Sequence, residues 1–126
     1  MKRCLVLFLM LLVLAGCSRV DTETPVFTTE GITAVAFITY PTSPEGIPVS
    51  EQYLAAITEW LGTFRLESRV KDDVLPPGSN SIRVRIQYAD GTVVENGLST
   101  MKLNGVHYFL QHADAPACYS EILSLT

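Results

Sequence analysis

Between Ile82 and Tyr88 the chain reads Ile-Arg-Val-Arg-Ile-Gln-Tyr, a strict alternation of apolar and polar side chains. A period of two sends Ile82, Val84, Ile86 and Tyr88 to one face and Arg83, Arg85 and Gln87 to the other, so this segment is a half-buried strand. The turn after Tyr88 fixes its partner. A two-residue Asp90-Gly91 turn would set Glu95 opposite Ile86 on the buried face. A three-residue loop, Ala89 to Gly91 with Gly91 left-handed, sets Val94 opposite Ile86 and Glu95 opposite Arg85, and is preferred for that match. Farther on, a two-residue type I′ turn at Asn104-Gly105 pairs Leu103 with Val106 and Met101 with Tyr108, apolar to apolar. The chain must therefore build two consecutive antiparallel hairpins.

Other elements fit around these. Ile32 to Tyr40 is β-branched and aromatic, apolar on both faces, and stops at Pro41, as expected of a central strand. Pro41 to Pro48 reads as a loop. Ser50 then caps a helix in which Tyr53, Leu54, Ile57, Trp60, Leu61 and Phe64 recur at three- and four-residue spacing, one wide apolar stripe that needs a flat apolar partner. Gly62 weakens its last turn, and the polar stretch from Glu67 to Ser81, with Pro76-Pro77-Gly78, reads as a returning loop. Near the end, Pro116 suits the first turn of a short helix with Asp114 or Ala115 at its cap and Tyr119, Ile122 and Leu123 on its apolar face. The expected order is β-α-β-β-β-β-α, an α+β fold in which a small antiparallel sheet packs against one long and one short C-terminal helix.

Ahead of this domain stands a different kind of segment. Lys2-Arg3 is followed by an unbroken apolar run from Cys4 to Leu14, then Ala15-Gly16. A charged start, a short apolar stretch and small residues form a signal peptide, and the run is far shorter than the ~20 residues a spanning helix needs. The quartet Leu14-Ala15-Gly16-Cys17 resembles the lipobox of bacterial lipoproteins. That resemblance implies diacylglyceryl transfer to the Cys17 thiol, cleavage before Cys17, and acylation of the new amine with palmitate-type chains. Two or more chains, at ~0.8 kcal/mol per buried methylene, make a stable lipid anchor. The expected organisation is residues 1–16 as signal peptide, 17–27 as lipidated cysteine and polar tether, and 28–126 as a single domain. The anchored domain belongs on the extracytoplasmic face of the cell membrane. Ser18 after the cysteine is compatible with the outer membrane in a host that has two.

Charge narrows the partners. Without Lys2 and Arg3 the chain has 7 basic residues against 13 acidic ones, a formal balance of −6. Nucleic acid is not an expected partner, since a basic face is needed to displace counterions from phosphates. With Cys4 removed and Cys17 lipidated, Cys118 is the one thiol left and no intramolecular disulfide forms. Beside Ala117 and Tyr119 it reads as a small buried hydrophobe, a reactive or intermolecular thiol being the sharper alternative.

No Gly-rich phosphate loop, paired-cysteine zinc spacing, nucleophile elbow or His-Glu-x-x-His helix occurs. His107 falls on the face opposite Val106 and Tyr108, as a surface strand histidine. His112, Asp114 and Cys118 form only a loose His-x-Asp-x₃-Cys array, too thin to predict a metal site. Asp72-Asp73 reads as a solvated turn, and Trp60 as core rather than a carbohydrate platform. No cofactor is expected. Arg83 and Arg85 project from one sheet face two residues apart, where they can recognise a carboxylate or phosphate. The bland alternative is that Glu95 and other outward carboxylates pair with them.

Trp60-Leu61-Gly62, Tyr88-Ala-Asp-Gly-Thr92 and Asn104-Gly-Val-His-Tyr108 together resemble small uncharacterised extracytoplasmic lipoprotein modules of Gram-positive bacteria, over roughly residues 50–125. The resemblance implies the fold and carries no activity or catalytic residues. The signals in this chain go into anchoring and folding, which points to a noncatalytic interaction or sensing module, not an enzyme, meeting an envelope protein through Arg83 and Arg85 or an unpaired strand edge. The alternatives are a small-ligand carrier with a pocket between helix and sheet, and an enzyme with dispersed residues, including a redox role for Cys118.

Overall fold

In the computed structural model, which describes residues 20–79 and 81–125, the alternating segment lies inside a sheet, as its period requires. Among the described residues there are seven strands: β1 Ile32–Thr39, β2 Ser43–Pro48, β3 Arg65–Arg69, β4 Ile82–Tyr88, β5 Val93–Gly97, β6 Thr100–Leu103 and β7 Val106–Gln111. The helices among these residues are α1, Glu51–Leu61, and α2, Ala117–Leu123, with a short 3-10 turn at Lys71–Asp73. The mixed α+β class holds. The single sheet is instead two antiparallel sheets, one ordered β2-β1-β4-β5 and the other β3-β7-β6.

The two hairpins pair in the expected registers. Arg85 faces Glu95 and Ile86 faces Val94 across a three-residue loop in which Gly91 has φ +90°. Leu103 faces Val106 and Met101 faces Tyr108 across Asn104-Gly105, with φ of 52° and 81°. The hairpins belong to different sheets, because the chain leaves the first after Gly97 and enters the second at Thr100.

Two segments expected to be loops are strands. β2 carries Pro44, Gly46 and Pro48, and it forms because it lies at a sheet edge, where one flank needs no ladder hydrogen bonds. β3 has only Leu66 as an apolar residue and is interrupted by a bulge between Leu66 and Ser68. Its one buried position pairs with Leu110, leaving no alternation long enough to read in one dimension.

α1 begins after Ser50, which occupies the cap position without a side-chain cap bond, and it ends at Gly62. The expected stripe is the buried one: Ile57, Trp60 and Leu61 are buried in the helix, and Phe64 just beyond it. Pro116 stands at the N-cap of α2 and not in its first turn, its extended ψ of 156° turning the chain into the helix. Cys118 and Ile122 are the residues of α2 that bury most completely. The core is one cluster joining Val35, Phe37, Val84 and Ile86 of the four-stranded sheet, Leu66 and Leu110 of the three-stranded sheet, and both helices. β1 is central, between β2 and β4, and buries Ile38 as well as Phe37, which explains an apolar sequence on both of its faces.

The expected tether is partly structure. Phe27 is 3% exposed and packs edge-on against Phe64 at 5.4 Å, and the Val26 N–H donates to the Phe64 carbonyl. The packed body therefore includes residues 26 and 27, which the polar composition of the preceding stretch concealed. The signal peptide and Cys17 lie outside the described residues.

Candidate functional site

On the outer face of the four-stranded sheet the pleat of β4 presents Arg83 and Arg85, and β5 presents Glu95 directly opposite Arg85. The Arg83 Nε lies 3.3 Å from Glu95 Oε1, and the Arg85 Nε lies 3.5 Å from Oε2. One carboxylate thus holds two guanidinium groups and leaves the triad one positive charge in excess. Arg85 also donates from NH1 to the Glu45 carbonyl of β2, at 3.1 Å. The next residue, Gly46, has φ +99°, a backbone conformation that favours glycine, and a Cβ there would sit in ordinary contact with the Arg85 NH1 at 3.4 Å and Ile38 Cγ1 at 3.5 Å. The arginine side chains remain 28% and 32% exposed, so each keeps donors toward solvent. The pairing with Glu95 is the bland alternative made real, and it also fixes both guanidinium groups in one orientation. An arrangement of this kind can accept a second carboxylate, or a phosphate, from a partner.

The histidines are placed differently from each other. His107 Nδ1 lies 2.6 Å from Asp73 Oδ1, and the same oxygen accepts the His107 backbone N–H at 3.1 Å. The Asp72-Asp73 turn is exposed, as expected, but it is not merely solvated. It straps the 3-10 segment onto β7, helped by the Val70 N–H donating to the His107 carbonyl. Asp72 and Asp73 both have positive φ, 54° and 55°, a conformation that aspartate tolerates better than most residues. No sequence signal marks this contact, since its partners are 34 residues apart and one lies in an irregular loop.

The His107 side chain, its backbone N–H and the charge of Lys102 hold the Asp73 carboxyl below the ordinary aspartate range. A depressed carboxylate contributes stability above its unfolded pKa and loses it as pH falls through the folded one. Asp73→Asn is therefore expected to reduce the loss of stability between neutral pH and about pH 3. Urea midpoints at both pH values measure this; equal losses in the two proteins would show that the contact contributes nothing to the acid limb.

His112 stacks on Phe64 at 4.5 Å and meets Trp60 edge-on at 5.4 Å. Trp60 is core, 5% exposed, and its indole N–H donates to the Ala113 carbonyl. Cys118 is buried. The sequence array of His112, Asp114 and Cys118 is thus spread between an aromatic stack, an exposed loop and the core. Among the described residues no three His, Cys, Asp or Glu side chains gather in a metal-holding group.

Phe37, Ile57, Leu61 and Phe64, each 0% exposed, fill the layer between α1 and the sheet. A recess of about 430 Å³ lies elsewhere, at the end of the sheet where Thr28 and Gly31 meet Tyr88 and Asp90. No family model, curated protein or solved structure matches the chain.

Proposed function

We propose that this chain is a lipid-anchored extracytoplasmic lipoprotein whose folded domain acts as a noncatalytic interaction or sensing module. Cys17 supplies the anchor, and the face bearing Arg83 and Arg85 meets an acidic patch on an envelope protein. The observation that carries the recognition half is the pair of guanidinium groups, oriented by one shared carboxylate and left partly open. A partner carboxylate would meet donors already ordered, which lowers the side-chain entropy lost on binding. The anchoring half rests on the ordered sequence of charge, apolar run, small residues and cysteine at the start of the chain. The second reading is a small-ligand-binding lipoprotein, favoured by the recess of about 430 Å³ beside Tyr88.

Intact-mass measurement of the protein extracted from membranes tests the anchor. The expected species starts at Cys17 and carries a diacylglyceryl group, and Cys17→Ala should lack the modification and lose its membrane retention. A mature chain with a free Cys17 thiol, or one that starts elsewhere, would remove the anchor from the account. Native mass spectrometry tests the second reading, which requires a reproducible adduct beyond the lipidated chain itself.

A further inference from the structure

We propose that the outer face of the four-stranded sheet grips one carboxylate at a time, through Arg83, while Arg85 braces the sheet. The proposal rests on the reading of this face as the contact surface and names the part of it that does the recognising. The exposures of the two side chains, 28% and 32%, do not separate them, but their bonds do.

Arg85 is bracketed at both ends. Its Nε lies 3.5 Å from Glu95 Oε2 on β5, and one of its two terminal nitrogens donates to the Glu45 carbonyl on β2 at 3.1 Å. Since β1 lies between β4 and β2, the Arg85 side chain crosses β1 to reach that carbonyl. Its partner on β1 is Ala36, a short side chain for a long one to cross. An Arg85 that turned outward to meet a partner would give up its bond to β2.

Arg83 is held at one point only. Its Nε donates to Glu95 Oε1 at 3.3 Å, and among the described residues no acceptor meets either of its terminal nitrogens. The terminal edge of a guanidinium carries two parallel N–H groups, which match the two oxygens of a planar carboxylate. Ile38, opposite Arg83 on β1, is 1% exposed and gives the aliphatic stem of the arginine an apolar floor. On the other side β5 sets Gly97 opposite Arg83, so no side chain stands there as Glu95 does for Arg85. With its stem supported and its Nε fixed, the open edge of Arg83 is ordered before a partner arrives, which lowers the entropy lost on binding. Glu95 also bears on the choice of partner group. It cancels one of the two positive charges, so a single carboxylate neutralises what remains, whereas a dianionic phosphate would bring a charge in excess.

Arginine side-chain NMR tests the assignment, using the full chain purified in a nonionic detergent at low ionic strength, with an acetylated, amidated tetraglutamate peptide as the probe. The terminal N–H signals of Arg83 should shift with added peptide while those of Arg85 stay in place. Arg83→Lys keeps the charge but loses the paired donors, and should weaken peptide binding about tenfold. Arg85→Lys should stay within about threefold of the wild type, with the Arg83 response intact. Equal shifts at both arginines, or equal effects of the two lysine substitutions, would overturn the assignment to Arg83 and leave the face as the contact surface. An equal or larger response to inorganic phosphate at the same concentration would overturn the choice of a carboxylate. No response at either arginine would overturn the acidic-patch reading along with the assignment.

Discussion

Replacing Phe64 with alanine is expected to lower the melting temperature of the domain by roughly 15–30 °C. Phe64 is 0% exposed and joins three aromatic contacts, with Phe27 at 5.4 Å, Trp60 at 5.0 Å and His112 at 4.5 Å. It therefore connects the segment at Val26 and Phe27, the end of α1 and the segment leading to α2. Truncating a buried phenylalanine costs about 3–5 kcal/mol through lost transfer energy and the cavity left behind. At this size each kcal/mol is worth about 4–8 °C. Its backbone groups are engaged as well, since its carbonyl receives the Val26 N–H. Thermal denaturation followed by near-UV circular dichroism gives the answer. A shift of only a few degrees would mean that the aromatic cluster is peripheral to stability.

The second large effect is on recognition and not on folding. Arg83→Glu combined with Arg85→Glu places three carboxylates where two cations and one anion now stand. Exposed ion pairs contribute well under about 1 kcal/mol each, so the fold should survive with a loss of roughly 1–2 kcal/mol from cross-strand repulsion. Binding of an acidic partner through this face should vanish, because both oriented donors have become repulsive. The neutral variant, Arg83→Gln with Arg85→Gln, separates the two effects: it should lose the partner while keeping nearly all the stability. If the charge-reversed protein binds as the wild type does, this face is not the contact surface.

The parts of the fold legible in the sequence are those in which local chemistry and tertiary environment agree. The alternation from Ile82 to Tyr88, the demand of Gly91 for a left-handed conformation and the Asn104-Gly105 turn set registers that the structure reproduces. The stripe from Tyr53 to Phe64 likewise becomes the buried side of α1. β2 and β3 were illegible because an edge strand answers to its neighbour. Ser43–Pro48 pairs with β1 despite two further prolines beyond Pro41, and Arg65–Arg69 is held by β7 through a single buried leucine. Contacts between distant segments were equally hidden, as with Asp73 and His107, or Tyr53, whose hydroxyl donates to Glu121 at 2.7 Å and ties α1 to α2. The candidate site was half legible. Period and turn length place Arg83, Arg85 and Glu95 together, whereas the hydrogen bond from Arg85 to the Glu45 carbonyl depends on β2 being a strand.

Crosslinking in intact cells followed by mass spectrometry, comparing the wild-type chain with Cys17→Ala and with the Arg83→Glu, Arg85→Glu double variant, tests the central claim most directly. An anchored module predicts a discrete envelope protein captured by the wild type, with crosslinks mapping to β4 and β5, and lost from both variants. Undiminished capture of the same protein by both variants would contradict the account, since neither the anchor nor the arginine face would then contribute to recognition.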